Sequence, residues 1–499
     1  MRRFADLLRD IPGARLVQGS GDVEVTGVSN DTRRLRPGEV FAAVSGFERD
    51  GLVFVPAAIV AGAAAIVAER APAPEQNPNG VPVAIVPDAR AALADLAAAF
   101  FGRPSSQLPV VGITGTDGKT STTHLLSAIL QAAGKRTGWL TTVSTRVGET
   151  VRENAADHTT PEAPLVQSAL AEMLQAGVDV AIVETSSHAL ALDRVRAVAY
   201  RVGVFTNLGA EHLNFHGTFE AYRDAKALLF QRLPPDGLAV LNADDPVSAH
   251  FARLTAAPVV TYGLLGSADV RATDVLLGPR GTAFTVIADG QERRLETRLV
   301  GRFNVANWLA AYGAGRYFGA GLDALEAATC VQEPVPGRMN LVDAGQPFPV
   351  VVDFAHTPQA LEKALDTVRS LVSGRVFLVF GLAGGRDAAN RPVMGALAAS
   401  RADFTVISMD DPYDEDPAEI ARQIATGFAR LGAQRGEQYE IDTDRQSAIE
   451  RVLGRAMRGD AVLLAGKGHE QRMMVRGQKL PWNDARAARE TLARLGFRA

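Results

Sequence analysis

The residues at 110–121 read Val-Val-Gly-Ile-Thr-Gly-Thr-Asp-Gly-Lys-Thr-Ser. A β-branched run enters a glycine-rich turn, and Gly118-Lys119-Thr120 then opens a helical pattern expected over 122–131. The backbone N–H groups of such a turn point at phosphates, and the helix N-terminus adds positive partial charge. Lys119 would reach the β- and γ-phosphates, and Thr120 would ligate Mg²⁺. The pattern is not a strict Walker A, because its first glycine would fall on Ile113. A second apolar run ends at Glu184, followed by Thr185, Ser186 and Ser187. A carboxylate at a strand's carboxyl end in a nucleotide-binding sheet is a natural Mg²⁺ ligand. A third run leads into Thr206-Asn207, with His212 and His216 four residues apart in the expected loop. Neutral imidazole can ligate a metal or orient substrate, and without cysteine ligands zinc catalysis is the weaker alternative.

These residues need a scaffold. Short β-branched runs at 110–113, 178–183, 202–205, 350–352, 376–380, 404–407 and 461–465 alternate with Ala/Leu-rich helical patterns. That alternation is the signature of parallel sheets covered by helices, whose ligands bind at the carboxyl ends of strands. With 499 residues the prior is about three domains. Loops at Gly102-Arg103-Pro104 and Glu333-Pro334-Val335-Pro336-Gly337 divide the chain at 1–103, 104–333 and 334–499. Lys and Arg number 52 against 56 Asp and Glu, a net charge of −4. A nucleic-acid partner is therefore not expected. The one cysteine, Cys330, excludes an internal disulfide. Neither a membrane span nor a signal peptide is expected, so the expected place is the cytoplasm.

Together these motifs resemble the Mur ligase family, ATP-dependent amide-forming enzymes of peptidoglycan precursor synthesis. The loop Gly115-Thr116-Asp117-Gly118-Lys119-Thr120-Ser121 is similar to the family's phosphate loop, with Asp117 where Asn is usual. The resemblance implies that ATP binds there and that Thr120, Glu184, His212 and Lys226 hold two Mg²⁺ ions. It also implies that Lys226 is carbamylated by CO₂. An ordinary Lys⁺ cannot ligate a cation, whereas a carbamate supplies oxygen ligands and negative charge. Asn304, in Gly301-Arg302-Phe303-Asn304, resembles the adenine contact, and Arg338 would also meet the nucleotide.

The resemblance narrows to the branch that adds the third amino acid of the stem peptide to a UDP-N-acetylmuramoyl dipeptide. Ser29, Thr32 and Arg33 match its uridine-binding module; Thr159, Thr160, Ser186 and Arg194 match its dipeptide contacts. Asp353 and His356 open the third domain and would approach the reacting groups. Arg386, Asp410, Asp411, Tyr413, Gly466 and Glu470 match the amino-acid pocket. The implied fold is α/β in three domains. A small α/β uridine-binding module precedes a central P-loop-type parallel-sheet ATPase domain and a Rossmann-like C-terminal domain. A monomer is expected. Enzymes of this branch that take meso-diaminopimelate carry Asp-Asn-Pro-Arg where this chain has Asp410-Asp411-Pro412-Tyr413. The missing guanidinium and the added carboxylate favour L-lysine or L-ornithine, with meso-diaminopimelate as the alternative. Competing readings are a folylpolyglutamate-synthase-like ligase, a scaffold that kept the fold, and a simple NTPase switch. The Ser29–Arg33 stretch argues against the first. Joint retention of Lys119, Glu184, His212 and Lys226 argues against the second. The separate pocket residues Arg386 and Glu470 argue against the third.

Overall fold

The computed structural model describes residues 1–46, 49–154, 158–209, 211–278, 281–385 and 388–497. The chain divides into two compact units, Met1–Tyr262 with Ala310–Ala324, and Gly263–Leu309 with Leu325–Ala499.

The first unit begins with a sheet in the order Arg15–Gln18, Val83–Ile85, Ala65–Ala68, Glu39–Ala42, Gly27–Ser29. Its strands pair in parallel except at the Arg15–Gln18 edge. Val40, Ala42, Ala65 and Val67 face a core closed by the helix Ala89–Phe100, while Phe41, Ile66 and Ala68 face a second core. A strand apolar on both faces must be covered on both, which is why these runs do not alternate with polar residues.

A larger sheet in this unit carries parallel strands in the order Thr137–Leu140, Val180–Glu184, Val110–Thr114, Tyr200–Phe205, Leu238–Asn242, Val259–Gly263. All five residues of Val110–Thr114 and of Val180–Glu184 are buried. Burying each Val or Ile side chain is worth about 1.5–3 kcal/mol, which outweighs the modest helix propensity of the flanking residues. In register, Glu184 lies opposite Ile113 and Phe205 opposite Thr114. The loops after three neighbouring strands therefore emerge at one edge.

The second unit contains an antiparallel meander, Val270–Gly278, Gly281–Ala288 and Gln291–Thr297. It also holds a sheet in the order Asn340–Val342, Val350–Asp353, Ala461–Ala465, Val376–Phe380, Phe404–Ile407, Tyr439–Ile441. All pairs in that sheet are parallel except the first. The helices Pro358–Leu371, Asn390–Arg401 and Pro417–Arg430 cover one face, where Leu361, Met394 and Ile424 are buried. Arg445–Arg455 and Asp484–Arg494 cover the other, with Ile449 and Leu492 in its core. Each strand expected from the β-branched runs is present, with no end shifted by more than two residues. No helix among the described residues is long and apolar enough to cross a membrane.

Candidate active site

The strand Val110–Thr114 runs into Gly115-Thr116-Asp117-Gly118, and the helix Lys119–Ala132 follows at once, three residues earlier than the sequence pattern suggests. Gly115 has φ +150°, and a Cβ there would lie 1.9 Å from Thr206 Oγ1, so only glycine fits. The loop is braced from the neighbouring strand end. Asn207 O accepts from Thr116 N–H at 2.8 Å. Asn207 Oδ1 accepts from Asp117 N–H at 3.1 Å, and Asn207 Nδ2 donates back to Asp117 O at 3.1 Å. Thr206 Oγ1 donates to the same carbonyl at 2.6 Å. Lys119 curls over the loop, donating to Gly115 O at 3.0 Å and Thr116 O at 2.7 Å. Thr120 and Ser121 lie buried in the first helical turn.

Lys226, on the helix Phe219–Gln231, is 1% exposed. Its Nζ donates to Gly115 O at 2.9 Å and sits 4.4 Å over the Tyr222 ring. Burial, and then the charge of Lys119, hold its amine well below the ordinary lysine range. The Tyr222 hydroxyl is 3.1 Å from Thr116 Oγ1, so the same helix touches the phosphate loop twice. Glu184 is fully buried; its Oε2 accepts from Thr142 Oγ1 at 2.9 Å, while Oε1 meets no hydrogen-bond donor among the described residues. A carboxylate oxygen left without a proton donor fits a cation.

His212 and His216 bracket a short helix, Leu213–His216, rather than a loop. The His212 ring stacks edge-on to His188 at 4.7 Å, and His216 Nε2 is 3.0 Å from Ser187 Oγ. Burial and the neighbouring His212 push the His188 imidazole down to about 4, so it is neutral at pH 7. Thr160 Oγ1 donates to Glu184 O at 2.7 Å and lies 3.2 Å from Ser186 Oγ. Arg194 Nη1 donates to Thr160 O at 3.1 Å, and its Nη2 pairs with Glu162 Oε1 at 2.8 Å. Thr160, Ser186 and Arg194 thus form one network against the Glu184 strand end, with Thr159 half-buried beside it. In the small sheet, Asp31 N–H donates to Ser29 Oγ at 3.2 Å, and Arg33 grips the Asp31 carboxylate through Nε and Nη2, both at 2.9 Å. Thr32 lies half-buried between them.

In the second unit, Asn304 is buried at the start of the helix Arg302–Tyr317, donating to Val300 O at 2.9 Å and accepting from Asn307 at 3.3 Å. Asp353 accepts from Met339 N–H at 2.7 Å and Ala355 N–H at 2.8 Å. It therefore shapes the turn that carries exposed His356, whose Nδ1 donates to Phe354 O at 2.9 Å. Arg338 lies over the Phe354 ring at 4.7 Å.

The loops after Phe404–Ile407 and Ala461–Ala465 bring Asp410, Asp411, Gly466 and Glu470 together around Lys467. Gly466 has φ +106°, and a Cβ there would come within 2.5 Å of Asp410 Oδ2. Tyr413 is half-buried in a left-handed conformation at φ +51°, its N–H donating to Met474 O at 3.1 Å. Arg386 lies outside the described residues. The sequence reading gave no role to Thr206, Asn207, Tyr222, Lys467 or Arg445. Asn207 carried a readable signal, since it lies two residues past the end of a strand of the nucleotide-binding sheet. So did Lys467, flanked by Gly466 and Gly468.

Family models match in all three segments: "Mur ligase family, catalytic domain" over residues 24–101, "Mur ligase middle domain" over 113–315, and "Mur ligase, glutamate ligase domain" over 337–468. A Geobacillus kaustophilus protein named UDP-N-acetylmuramoyl-L-alanyl-D-glutamate--2,6-diaminopimelate ligase is 42% identical over 500 residues, covering 99% of this chain and 100% of its own. A Roseiflexus protein named UDP-N-acetylmuramyl-tripeptide synthetase is 43% identical over 490 residues, covering 95% of this chain and 96% of its own. A solved structure titled as a UDP-N-acetylmuramoyl-L-alanyl-D-glutamate--2,6-diaminopimelate ligase superposes with a TM-score of 0.68 at 28% identity, covering 99% of both chains. With identity of this order along the whole length, and the phosphate loop, Glu184 and Lys226 gathered at one sheet edge, the chain belongs to the Mur ligase family.

Proposed function

We propose that this protein is an ATP-dependent amide ligase that joins a diamino acid to UDP-N-acetylmuramoyl-L-alanyl-D-glutamate in peptidoglycan biosynthesis. The observation that carries this reading is the convergence of a braced phosphate loop, buried Lys226 and the unpartnered Glu184 oxygen at the carboxyl edge of one parallel sheet. The full-length match to relatives named for that reaction supports it, and the family match over 24–101 favours it over a folylpolyglutamate-synthase-like ligase.

A carboxylate is a poor electrophile, so the terminal carboxylate of the dipeptide takes the γ-phosphoryl of ATP, and the incoming amine displaces phosphate from the acyl phosphate. Such chemistry depends on positioning and charge neutralisation. Lys119 and the N–H groups of residues 115–121 hold the phosphates, and Asn304 and Arg338 hold the rest of the nucleotide. Thr159, Thr160, Ser186 and Arg194 position the dipeptide; Ser29, Thr32 and Arg33 hold the uridine end. Bound Mg²⁺ would supply charge neutralisation, with Thr120 and Glu184 holding one ion and His212 with carbamylated Lys226 the other. A neutral amine is the form that adds CO₂: the N–C bond forms as the amine loses a proton, and burial shifts Lys226 toward that form. Asp353 sets the turn that carries His356, and His356 is the residue assigned to the reacting groups. Boundaries near residues 103 and 333 divide these tasks among three domains.

The amino-acid preference is corrected. The relatives' names back meso-diaminopimelate better than L-lysine or L-ornithine. The structure also removes part of the charge argument for the latter pair. The Asp411 carboxylate does not face the pocket as a bare charge, because Lys467 Nζ lies 2.8 Å from its Oδ1 and Met474 N–H donates to the same oxygen at 2.8 Å. Asp410, Gly466 and Glu470 line the site for this amino acid, with Asp411 and Tyr413 beside them, and Arg386 joins the set on its sequence match alone. Tyr413, standing where the diaminopimelate pattern has Arg, is the one observation favouring lysine or ornithine as a second reading. The test is turnover with ATP, Mg²⁺, the UDP-linked dipeptide and each of the three amino acids, read as ADP release and product mass. The highest kcat/KM with meso-diaminopimelate is expected; preference for lysine or ornithine would reverse the amino-acid assignment alone. No product with any of the three would sink the ligase reading.

A further inference from the structure

In the second unit Lys467 has no exposed side-chain surface, yet it carries a charge. Its Nζ lies 2.6 Å from Glu470 Oε2, 2.8 Å from Asp411 Oδ1 and 3.6 Å from Asp410 Oδ1. Asp410 and Asp411 follow the strand Phe404–Ile407, whereas Lys467 and Glu470 follow Ala461–Ala465. These strands are not neighbours, because Val376–Phe380 lies between them. The ammonium therefore ties the two loops together near their strand ends, whereas the backbone bonds between them, Tyr413 N–H to Met474 O and Arg476 N–H to Tyr413 O, lie farther along the chain.

A second buried cation works on the same loops from beneath. Arg445 donates to Met409 O at 3.2 Å and to Ala465 O at 2.8 Å, the residues just before Asp410 and Gly466. Its charge is already matched by Asp484, bound through Nε at 2.8 Å and Nη2 at 2.6 Å. Among the described residues, that leaves Lys467 as the cation in direct contact with Asp411 and Glu470 and 3.6 Å from Asp410, three carboxylates with an oxygen each inside a 4.8 Å span. Carboxylates so close repel, and they stay together only with a shared counter-ion or by taking up protons. Burial already raises Asp410, and it raises Glu470 to about 7.

We infer that Lys467 is the positioning residue of the amino-acid pocket, the shared counter-ion that holds Asp410 and Asp411 from one loop in register with Glu470 from the other. This rests on the reading of that cluster as the amino-acid site. Lys467 is not itself a substrate contact, since it is enclosed and its donors are directed at carboxylates. Removing its charge lets the loops part and leaves a surplus carboxylate, so the amine-binding geometry is lost while the phosphate loop in the first unit is untouched.

Steady-state kinetics of the full chain, with each of the three substrates varied in turn, tests this in K467M, D411N and the double variant D411N/K467M. In K467M the KM for the diamino acid should rise at least tenfold, while KM for ATP and for the UDP-linked dipeptide stays within twofold. The double variant regains the wild-type net charge of the cluster but not the tie. Its amino-acid KM should fall severalfold from that of K467M and remain severalfold above wild type. Should K467M fail to fold, the double variant is read directly against D411N, with the same severalfold excess expected. The inference is overturned by an amino-acid KM in K467M within twofold of wild type, by all three KM values rising together, or by a double variant equal to either wild type or K467M. Wild-type protein that turned over no diamino acid would overturn the proposed function and this inference with it. Wild-type turnover beside an unchanged K467M overturns the inference alone.

Discussion

Asn207 is the residue through which the phosphate loop is most directly held, and replacing it isolates that bracing from binding. Its side chain makes a reciprocal pair with Asp117, accepting from the N–H and donating to the carbonyl, both at 3.1 Å. N207A removes both bonds while the main-chain bond from Thr116 N–H to Asn207 O and the bond from Thr206 Oγ1 to Asp117 O remain. A neutral hydrogen bond contributes about 1 kcal/mol net, so the loop loses about 2 kcal/mol of preorganisation. If that loss falls on the transition state, kcat/KM for ATP drops about 30-fold. N207D is the sharper variant. It keeps an acceptor for Asp117 N–H, but it sets a carboxylate oxygen against the Asp117 carbonyl and puts a negative charge beside the phosphates. The drop should then reach about 100-fold or more, since a buried repulsive contact costs more than an absent one. The assay is coupled ADP release with ATP varied at saturating dipeptide and amino acid, with circular dichroism to check the fold. N207A within about threefold of wild type, or N207D milder than N207A, would refute the claim that this side chain braces the loop.

Other outcomes follow from the same coordinates. Arg445 and Asp484 are both fully buried, so R445M strands a carboxylate and should lower stability by about 3–5 kcal/mol, with R445M/D484N losing clearly less. Chemical denaturation checks this, and equal losses in the two variants would show that the stranded charge is not the cause. K226A should be inactive, and a small carboxylic acid should restore part of the turnover by standing in for the carbamate. Full activity of K226A would remove Lys226 from the proposed metal site. Y413R should raise kcat/KM for meso-diaminopimelate relative to L-lysine, because a guanidinium can pair with the distal carboxylate in bidentate geometry. An unchanged ratio would mean that position 413 does not read that group.

The parallel sheets and the phosphate loop were legible because both are local. The stretches 110–113 and 461–465 announce themselves as apolar runs, and Gly115 and Gly118 sit where the turn demands them. His212 and His216 illustrate a smaller loss: their spacing was visible, but not that the residues between them form a helical turn. What composition and spacing could not supply was the partner of each charge. Read alone, Asp411 is a carboxylate in a recognition loop, and it argued for a cationic amino acid. Folded, it belongs to Lys467, 56 residues further along and two strands away in the sheet. A charge acts through its unneutralised remainder, and that remainder is a property of the tertiary structure. The same reasoning separates Asp411 from Tyr413. The former's influence was overstated because its counter-ion lay out of sequence. Tyr413 bears no carboxylate whose counter-ion could lie elsewhere in the chain, so the missing guanidinium at that position still bears on which amino acid is taken.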